Sequence, residues 1–433
     1  MVTEKRPAWQ SFCNSKIAQN LVTFTNGHKF VIACGLMLIS SVFWVLVVFV
    51  SDRYIQGDLL LYQNIASDLL AGKLPYRDRV LEYPPYAIPI FILPTLFGKS
   101  AYPQGFMLFV LLADWLIKLL LFIEMRLRQS NAPRAFLPLL LYCAATPFTC
   151  FFFLQRYDVW PALICLAAVW LFCSKRYIFS GLAVAIAIGV KLYPVVFVPA
   201  LFVIAMRQGK GRRFLVGLML GLLPIALLGL HLPWWRFAEF QNDRGLQVES
   251  LYASILWLTK LLGWTQLDWV PFKAWMEIQG PLASATLPWA RALFVTMVAF
   301  SSMFPAWVAT RTEKFSAPQL ARLLLIPLLG FVAFNQVLSP QFMIWILPLA
   351  ALGSLEGNPW TMFAILLATM LTPIIFPSFG GDYTWGLNLF ETTILLVRNL
   401  TLIAVWILLI REMSLPRLGG LAKREFPAPQ SRT

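Results

Sequence analysis

The chain reads as an all-α polytopic membrane protein, a bundle of about twelve transmembrane helices with further juxtamembrane helices on its outer side. Three observations predict this. Of 433 residues, 59% are hydrophobic and only 13% charged, against about one quarter charged in an ordinary soluble domain. The mean hydropathy is +0.71. Apolar runs recur at about 30–50, 104–124, 135–154, 159–174, 177–190, 192–206, 214–231, 286–310, 323–338, 340–354, 359–376 and 389–410, lengths suited to helices in hydrocarbon. Several fall below the roughly 20 residues of a simple span, so they must tilt, extend through polar ends or be shielded by neighbours.

The first run follows about thirty residues carrying Lys5, Arg6, Lys16 and Lys29. It starts too far in, and is too long, for a cleaved secretory signal, and is expected to stay as the first helix. Cations beside spans set orientation by gathering on the cytoplasmic side. Arg126, Arg128 and Arg134, then Lys175 and Arg176, then Arg207, Lys210, Arg212 and Arg213, then Arg311, Lys314 and Arg322, and finally Arg411, Arg417, Lys423 and Arg424 all fall inside if the N-terminus is inside. Both termini are then cytoplasmic in a cell membrane. The expected division is a cytoplasmic segment 1–29, one transmembrane unit 30–411 with external loops 51–103 and 232–285, and a basic cytoplasmic tail 412–433. Residues 86–98, with Pro89 and Pro94, suit a juxtamembrane or re-entrant helix better than a crossing.

The formal net charge is +15, but the cations flank spans instead of studding a soluble aromatic face, so no nucleic-acid partner is expected. Cys13, Cys34, Cys143, Cys150, Cys165 and Cys173 show no paired metal spacing, and His28 and His231 lie far apart. No metal site is assigned. Gly217 and Gly221 form a G-x-x-x-G pair suited to close helix packing. Trp234, Trp235, Trp257, Trp264, Trp269 and Trp275 crowd the second external loop, which is expected to lie on the membrane as short helices.

On this topology Asp52, Asp58, Asp68, Asp78, Glu82, Asp158, Glu239, Asp243, Glu249, Asp268, Glu277, Asp382 and Glu391 lie outside or at the outer end of a span. Acidic residues carry little topological force, so this bias points to an outward polar site. In the stretch SDRYIQGDLLLYQNIASDLLAGKLPYRDRVLEYPPY, a helix from Asp58 to Ala71 sets Leu59, Leu61, Tyr62, Ile65, Ala66, Leu69 and Leu70 on one face. Asp68 falls on the polar side and Asp58 on the apolar side. Asp58 is either a helix cap after Gly57 or a chemically active carboxylate, and the two roles are compatible. Asp52, Asp78 and Glu82 read as rim charges balanced by Arg53, Lys73, Arg77 and Arg79.

Arg156 and Asp158 form either a turn-fixing ion pair or part of a polar site. Lys191, between two short runs, is either a snorkelling helix-end residue or a functional cation, with phosphate or Asp158 as partner. RGLQVES places Arg244, Gln247 and Glu249 outside, and NQVLSPQ sets Asn335, Gln336, Ser339 and Gln341 at a helix break, where they satisfy freed backbone or line a pocket. Asp114 and Lys118, four apart in one run, read as a structural pair.

GDLLLYQNIASDLLAGKLPY followed by EYPP, then QRYDVWPAL, GVKLYPVVFVPAL, RGLQVES and NQVLSPQFMIWILPL, in that order over roughly residues 50–350, resemble the GT-C superfamily of membrane glycosyltransferases. The chain is most similar to glycosyltransferase family 87, polyprenyl-phosphate-dependent mannosyltransferase-like proteins. The resemblance implies a GT-C-like bundle and an acidic base in the first external loop, where Asp58 matches. It also implies a polyprenyl-phosphate sugar donor, a lipid or glycan acceptor at the outer face, and inversion at the anomeric carbon. Arg156, Asp158, Lys191, Tyr193, Arg244, Gln247, Glu249 and Gln341 are the expected substrate-binding residues. No cofactor is assigned beyond the lipid-linked sugar as substrate, and divalent-cation dependence stays open. Membrane lipids are the remaining partners. The rival class is a multi-pass transporter or lipid flippase, which would show inverted repeats and polar residues through the midplane. An inactive scaffold or a glycan ligase would keep the same shell without needing Asp58.

Overall fold

The computed structural model describes residues 16–51, 57–127, 136–239, 243–272, 275–312, 314–375 and 388–414. The expectations for Lys5, Arg6, Cys13, Asp52, Arg53, Arg128, Arg134, Asp382 with its loop, Arg417, Lys423 and Arg424 lie outside these residues. Helices fall where the apolar runs are. In chain order they are α1 (Lys16–Ser51), α2 (Gly57–Leu70), α3 (Pro85–Phe97), α4 (Tyr102–Leu127), α5 (Leu137–Thr149), α6 (Cys150–Gln155), α7 (Val159–Cys173) and α8 (Tyr177–Val190). There follow α9 (Tyr193–Arg207), α10 (Gly211–Leu228), α11 (Leu251–Leu261), α12 (Pro281–Arg311), α13 (Ala317–Ala333), α14 (Phe342–Gly353), α15 (Pro359–Ile375) and α16 (Leu389–Ser414). Among the described residues, 5 helices are long and apolar enough for a simple membrane crossing: α1 from Phe30 to Val50, α4, α10, α12 and α16. The other expected spans are apolar helices of 10–17 residues, so the expected total of about twelve crossings is not given by helix length. The chain is a multi-pass membrane protein.

The short helices survive because protein, not lipid, surrounds them. Every residue of α14 is buried, and nearly every residue of α13, as expected of helices apolar on all sides. They pack on each other, α13 also against α12 and α16, and α14 also against α5 and α7. At the periphery α1 buries only 17% of its apolar window. Pro138 and Pro194 stand in the first turns of α5 and α9, where their missing N–H costs nothing.

Gly217 and Gly221 behave as their spacing predicts. A Cβ on Gly217 would stand 1.9 Å from the Ile178 carbonyl oxygen, and one on Gly221 would stand 2.5 Å from the Ala185 Cβ. Gly181 answers from the other helix, where a Cβ would meet the Phe214 carbonyl oxygen at 2.1 Å. The backbones of α8 and α10 therefore touch. Asp114 and Lys118 form the expected pair, Lys118 Nζ to Asp114 Oδ2 2.5 Å, both buried within α4. α3 packs against α2 and α8, and Tyr86 donates to the Gly221 carbonyl at 2.6 Å.

Two expectations for the outer segment need correction. It does hold a short helix, α11, but also an antiparallel hairpin, β1 (Asp268–Phe272) with β2 (Trp275–Gln279), in register Asp268 to Gln279. The chain at 246–248 lies along β2, Ile278 N–H donating to the Leu246 carbonyl at 2.9 Å and Val248 N–H to that of Met276 at 3.2 Å. Trp257 is not an interface anchor. It is buried with Leu246, Val248, Tyr252, Ile278 and Leu395 in a small separate core, whereas Trp264 is 75% exposed.

Gly217→Ala is expected to lower the unfolding temperature of the solubilised protein, at a cost of about 2 kcal/mol for overpacking a backbone contact. Gly35→Ala, whose Cβ meets nothing within 4 Å, leaves it unchanged. Thermal melting followed by circular dichroism checks both.

Candidate active site

A cavity of about 610 Å³ opens among the ends and breaks of several helices. Asp58, Arg156, Asp158, Lys191, Tyr193, Arg244, Gln247, Glu249 and Gln341 all line it, brought together from five separate stretches of chain. Each arrives at the end of an element or at a break. Asp58 stands in the first turn of α2, Arg156 and Asp158 in the turn joining α6 to α7, and Lys191 with Tyr193 at the break between α8 and α9. Arg244, Gln247 and Glu249 precede α11, and Gln341 precedes α14.

The ion pairs are not sequence neighbours. Arg156 pairs with Asp58. Asp158, 1% exposed, accepts on Oδ1 from Lys191 Nζ at 2.5 Å and from the Trp345 indole N–H at 2.6 Å. The Lys191 ammonium also stands over the rings of Tyr157 and Trp345, 4.6 and 5.0 Å from their centroids. Trp345 stacks on Tyr193 at 4.3 Å. Lys191 is thus held by a carboxylate and two aromatic faces, a geometry that fixes a cation instead of letting it snorkel.

Between residues 57 and 103, Asp68 and Asp78 keep to local partners and Glu82 does not. Asp68 accepts from Lys73 at 2.8 Å and pairs with Arg79 at 3.4 Å, and the Lys73 hydrogen bond holds its carboxyl below the usual range. Asp78 accepts the Leu74 N–H at 3.0 Å and pairs with Arg77. These two stabilise the loop. Glu82 is no rim charge: it lines the cavity, pairs with Arg244, distant in the chain, at 3.5 Å, and accepts the Tyr83 hydroxyl at 2.9 Å. Of the predicted apolar face of α2, Leu59, Tyr62, Ile65 and Ala66 are buried, while Leu70 is 62% exposed.

Glu249 lines the cavity yet is committed elsewhere. Arg398 Nη1 donates to its carboxylate at 2.7 Å. Burial pushes the Glu249 carboxyl above the usual range, and the Arg398 charge opposes that shift. The helix break at 334–341 supplies neutral polar groups: Gln247 Nε2 donates to Ser339 Oγ at 2.9 Å, and Gln336 Nε2 to the Arg244 carbonyl at 2.9 Å. Asn335 and Gln341 also line the cavity.

Arg291 was missed by sequence reasoning although an arginine inside the 286–310 run was a signal. It lines the cavity and donates to Gln336 Oε1 at 3.3 Å and to the Arg244 carbonyl at 2.9 Å. Trp345 and Tyr62 carried no signal distinguishing them from core aromatics. Among the described residues, no three His, Cys, Asp or Glu side chains come together as a metal cluster. Four cationic side chains, Arg156, Lys191, Arg244 and Arg291, therefore share one half-enclosed volume with Asp58, Glu82 and Asp158. Such a volume can bind an anion and offer a carboxylate to a hydroxyl.

The model of glycosyltransferase family 87 matches residues 81–329, more than half of the chain. The chain belongs to glycosyltransferase family 87. It is a GT-C-like membrane glycosyltransferase. No curated protein matches it. The matched span holds Glu82, Arg156, Lys191, Arg244 and Arg291, whereas Asp58 precedes it and Gln341 and Trp345 follow it.

Asp158→Asn keeps an acceptor for Trp345 but removes the charge facing Lys191. It should cost about 3 kcal/mol, because half of a buried pair is left uncompensated. Adding Lys191→Met should return most of that loss, and chemical denaturation of the two variants beside wild type measures the coupling.

Proposed function

We propose that the protein transfers a hexose, with mannose the expected sugar, from a polyprenyl-phosphate donor to a lipid or glycan acceptor at the outer face of the membrane. The observation that carries this reading is the convergence of Asp58 with Lys191, Arg244 and Arg291 on one cavity. A lipid-phosphate donor needs no nucleotide-binding fold. It needs cations for the phosphate and a side opening for the prenyl chain. Phe237, Phe294 and Val295 line the cavity, and Val295 on α12 is 65% exposed, so the cavity wall there faces hydrocarbon in a membrane-embedded chain.

In the proposed step the acceptor oxygen forms a bond to the anomeric carbon as the bond from that carbon to the phosphate oxygen breaks. Asp58 takes the hydroxyl proton, and the polyprenyl phosphate leaves with the bonding electron pair. A single displacement inverts the anomeric centre. The developing phosphate charge falls among Lys191, Arg244 and Arg291, which are fixed beforehand and need little reorganisation. Pairing with Arg156 orients the Asp58 carboxylate, and general-base help of this kind contributes about 10²–10⁴ in rate. The amide and hydroxyl groups of Asn335, Ser339, Gln341 and Gln247 suit the hexose hydroxyls. The cavity lies at the Phe331 end of α13 and meets α12 near its middle, at Arg291, Phe294 and Val295, while the Arg311 end of α12 carries the cations that the positive-inside rule assigns to the cytoplasm.

Asp58→Asn should reduce transfer from a radiolabelled polyprenyl-phosphate sugar by at least about 10²-fold, with donor affinity kept, in full-length protein reconstituted in nanodiscs. Near-normal transfer by that variant would remove Asp58 from the base role. Lys191→Met should instead weaken donor binding about tenfold, the loss of roughly 1.4 kcal/mol of charge contact. Unchanged affinity in a titration would return Lys191 to a structural role.

A further inference from the structure

The last helix reaches the cavity without lining it. Arg398 lies nine residues into α16, roughly 13 Å along the helix from Leu389 at 1.5 Å per residue. It is 0% exposed, and its neighbour Asn399 1%. Both turn to the outer segment. Arg398 Nη1 donates to the Glu249 carboxylate at 2.7 Å and Nη2 to the Glu249 carbonyl at 2.8 Å. Asn399 Nδ2 donates to the same carbonyl at 3.2 Å and to Ser254 Oγ at 3.3 Å. One residue of the outer segment is therefore gripped at its side chain and at its backbone. Ser250, the next residue, caps α11 by accepting the Ala253 N–H.

A guanidinium buried in a membrane helix is expensive, and a buried ion pair is often no more stable than a well-packed apolar pair of the same volume. Stability alone does not account for it. What the pair adds is direction: a fork that fits only one placement of Glu249. That placement governs the residues just before it. Gln247 N–H donates to the Gln336 carbonyl at 3.0 Å, Gln247 meets Ser339, and Arg244 meets Glu82 across the cavity. The stretch 244–249 is thus fixed at its far end by α16 and along its length by the helix break.

We propose that Arg398 and Asn399 are positioning residues of the transfer site, holding Glu249 so that Arg244 and Gln247 face the donor. This rests on the polyprenyl-phosphate reading above. It assigns a task in the reaction to a helix that lies beyond the family-matched span of residues 81–329. Glu249 then acts through Arg244 and Gln247 and is not itself a sugar ligand.

The test compares wild type, Arg398→Lys and the apolar double variant Glu249→Leu with Arg398→Met, all full-length in nanodiscs. The double variant leaves no buried charge alone, so it should melt within a few degrees of wild type. Hydrogen exchange at the amides of residues 246–250 should accelerate about tenfold, and the donor KM should rise about fivefold with kcat nearly unchanged. Arg398→Lys keeps the charge but loses the fork, and should fall between. Wild-type exchange and wild-type KM in the double variant would overturn the proposal. If the double variant fails to fold, wild-type exchange and KM in Arg398→Lys overturn it equally. Faster exchange in a protein whose wild type transfers nothing from the lipid donor would instead refute the donor reading and leave the positioning intact.

Discussion

The structure depends on how it satisfies backbone groups freed by broken helices inside a membrane. Short helices that stop within the bundle leave carbonyls and N–H groups that lipid cannot satisfy, so irregular backbone at this depth persists only inside protein or beside a polar cavity. α13 and α14 are separated by such a break at 334–341, and α8 and α9 by one at Lys191. The stretch 247–252 supplies partners. Tyr252 donates to the Phe334 carbonyl at 2.8 Å and Gln247 N–H to that of Gln336 at 3.0 Å. Docking that segment onto the breaks encloses the cavity. The requirement that makes the breaks tolerable also gathers the polar groups in one place.

Charge follows from the same layout. Each anion lining the cavity has a cation from a different part of the chain: Asp58 with Arg156, Glu82 with Arg244, Asp158 with Lys191, and Glu249 with Arg398. These pairs tie the first loop, the α6–α7 turn, the α8–α9 break, the outer segment and α16 into one polar layer. In the proposed reaction the donor phosphate enters as an anion among partners already oriented by these contacts, which is the preorganisation that electrostatic catalysis requires. The largely buried α13 and α14 give Phe331, Phe342 and Trp345 to the cavity wall.

Much of this was legible in the sequence. Apolar runs located the helices, because hydrophobic length is a one-dimensional property. Gly217 with Gly221, and Asp114 with Lys118, were readable since helical spacing alone places them together. The nine residues singled out for the site fell on turns and breaks, where polar side chains in a greasy chain stand out, and they line one cavity. Pairing was not legible. Arg156 finds Asp58 and Arg244 finds Glu82 only through tertiary folding, whereas adjacency offered Asp158 as one alternative for Arg156 and local cations for Glu82. The hairpin at 268–279 escaped notice because its strands are short, contain Pro271 and have no Gly or Asn between them. Arg398 was hidden inside an apolar run, and its importance depends on a partner 149 positions earlier.

The central claim, that this break-lined cavity is where a lipid phosphate is held for displacement, is tested most directly by a cryo-electron microscopy structure of the full-length protein with a polyprenyl phosphate bound. The account predicts phosphate density within hydrogen-bonding distance of Lys191, Arg244 or Arg291, with the prenyl chain leaving past Phe294 and Val295. Phosphate density at the Arg311 end of α12, with this cavity unoccupied, would contradict it.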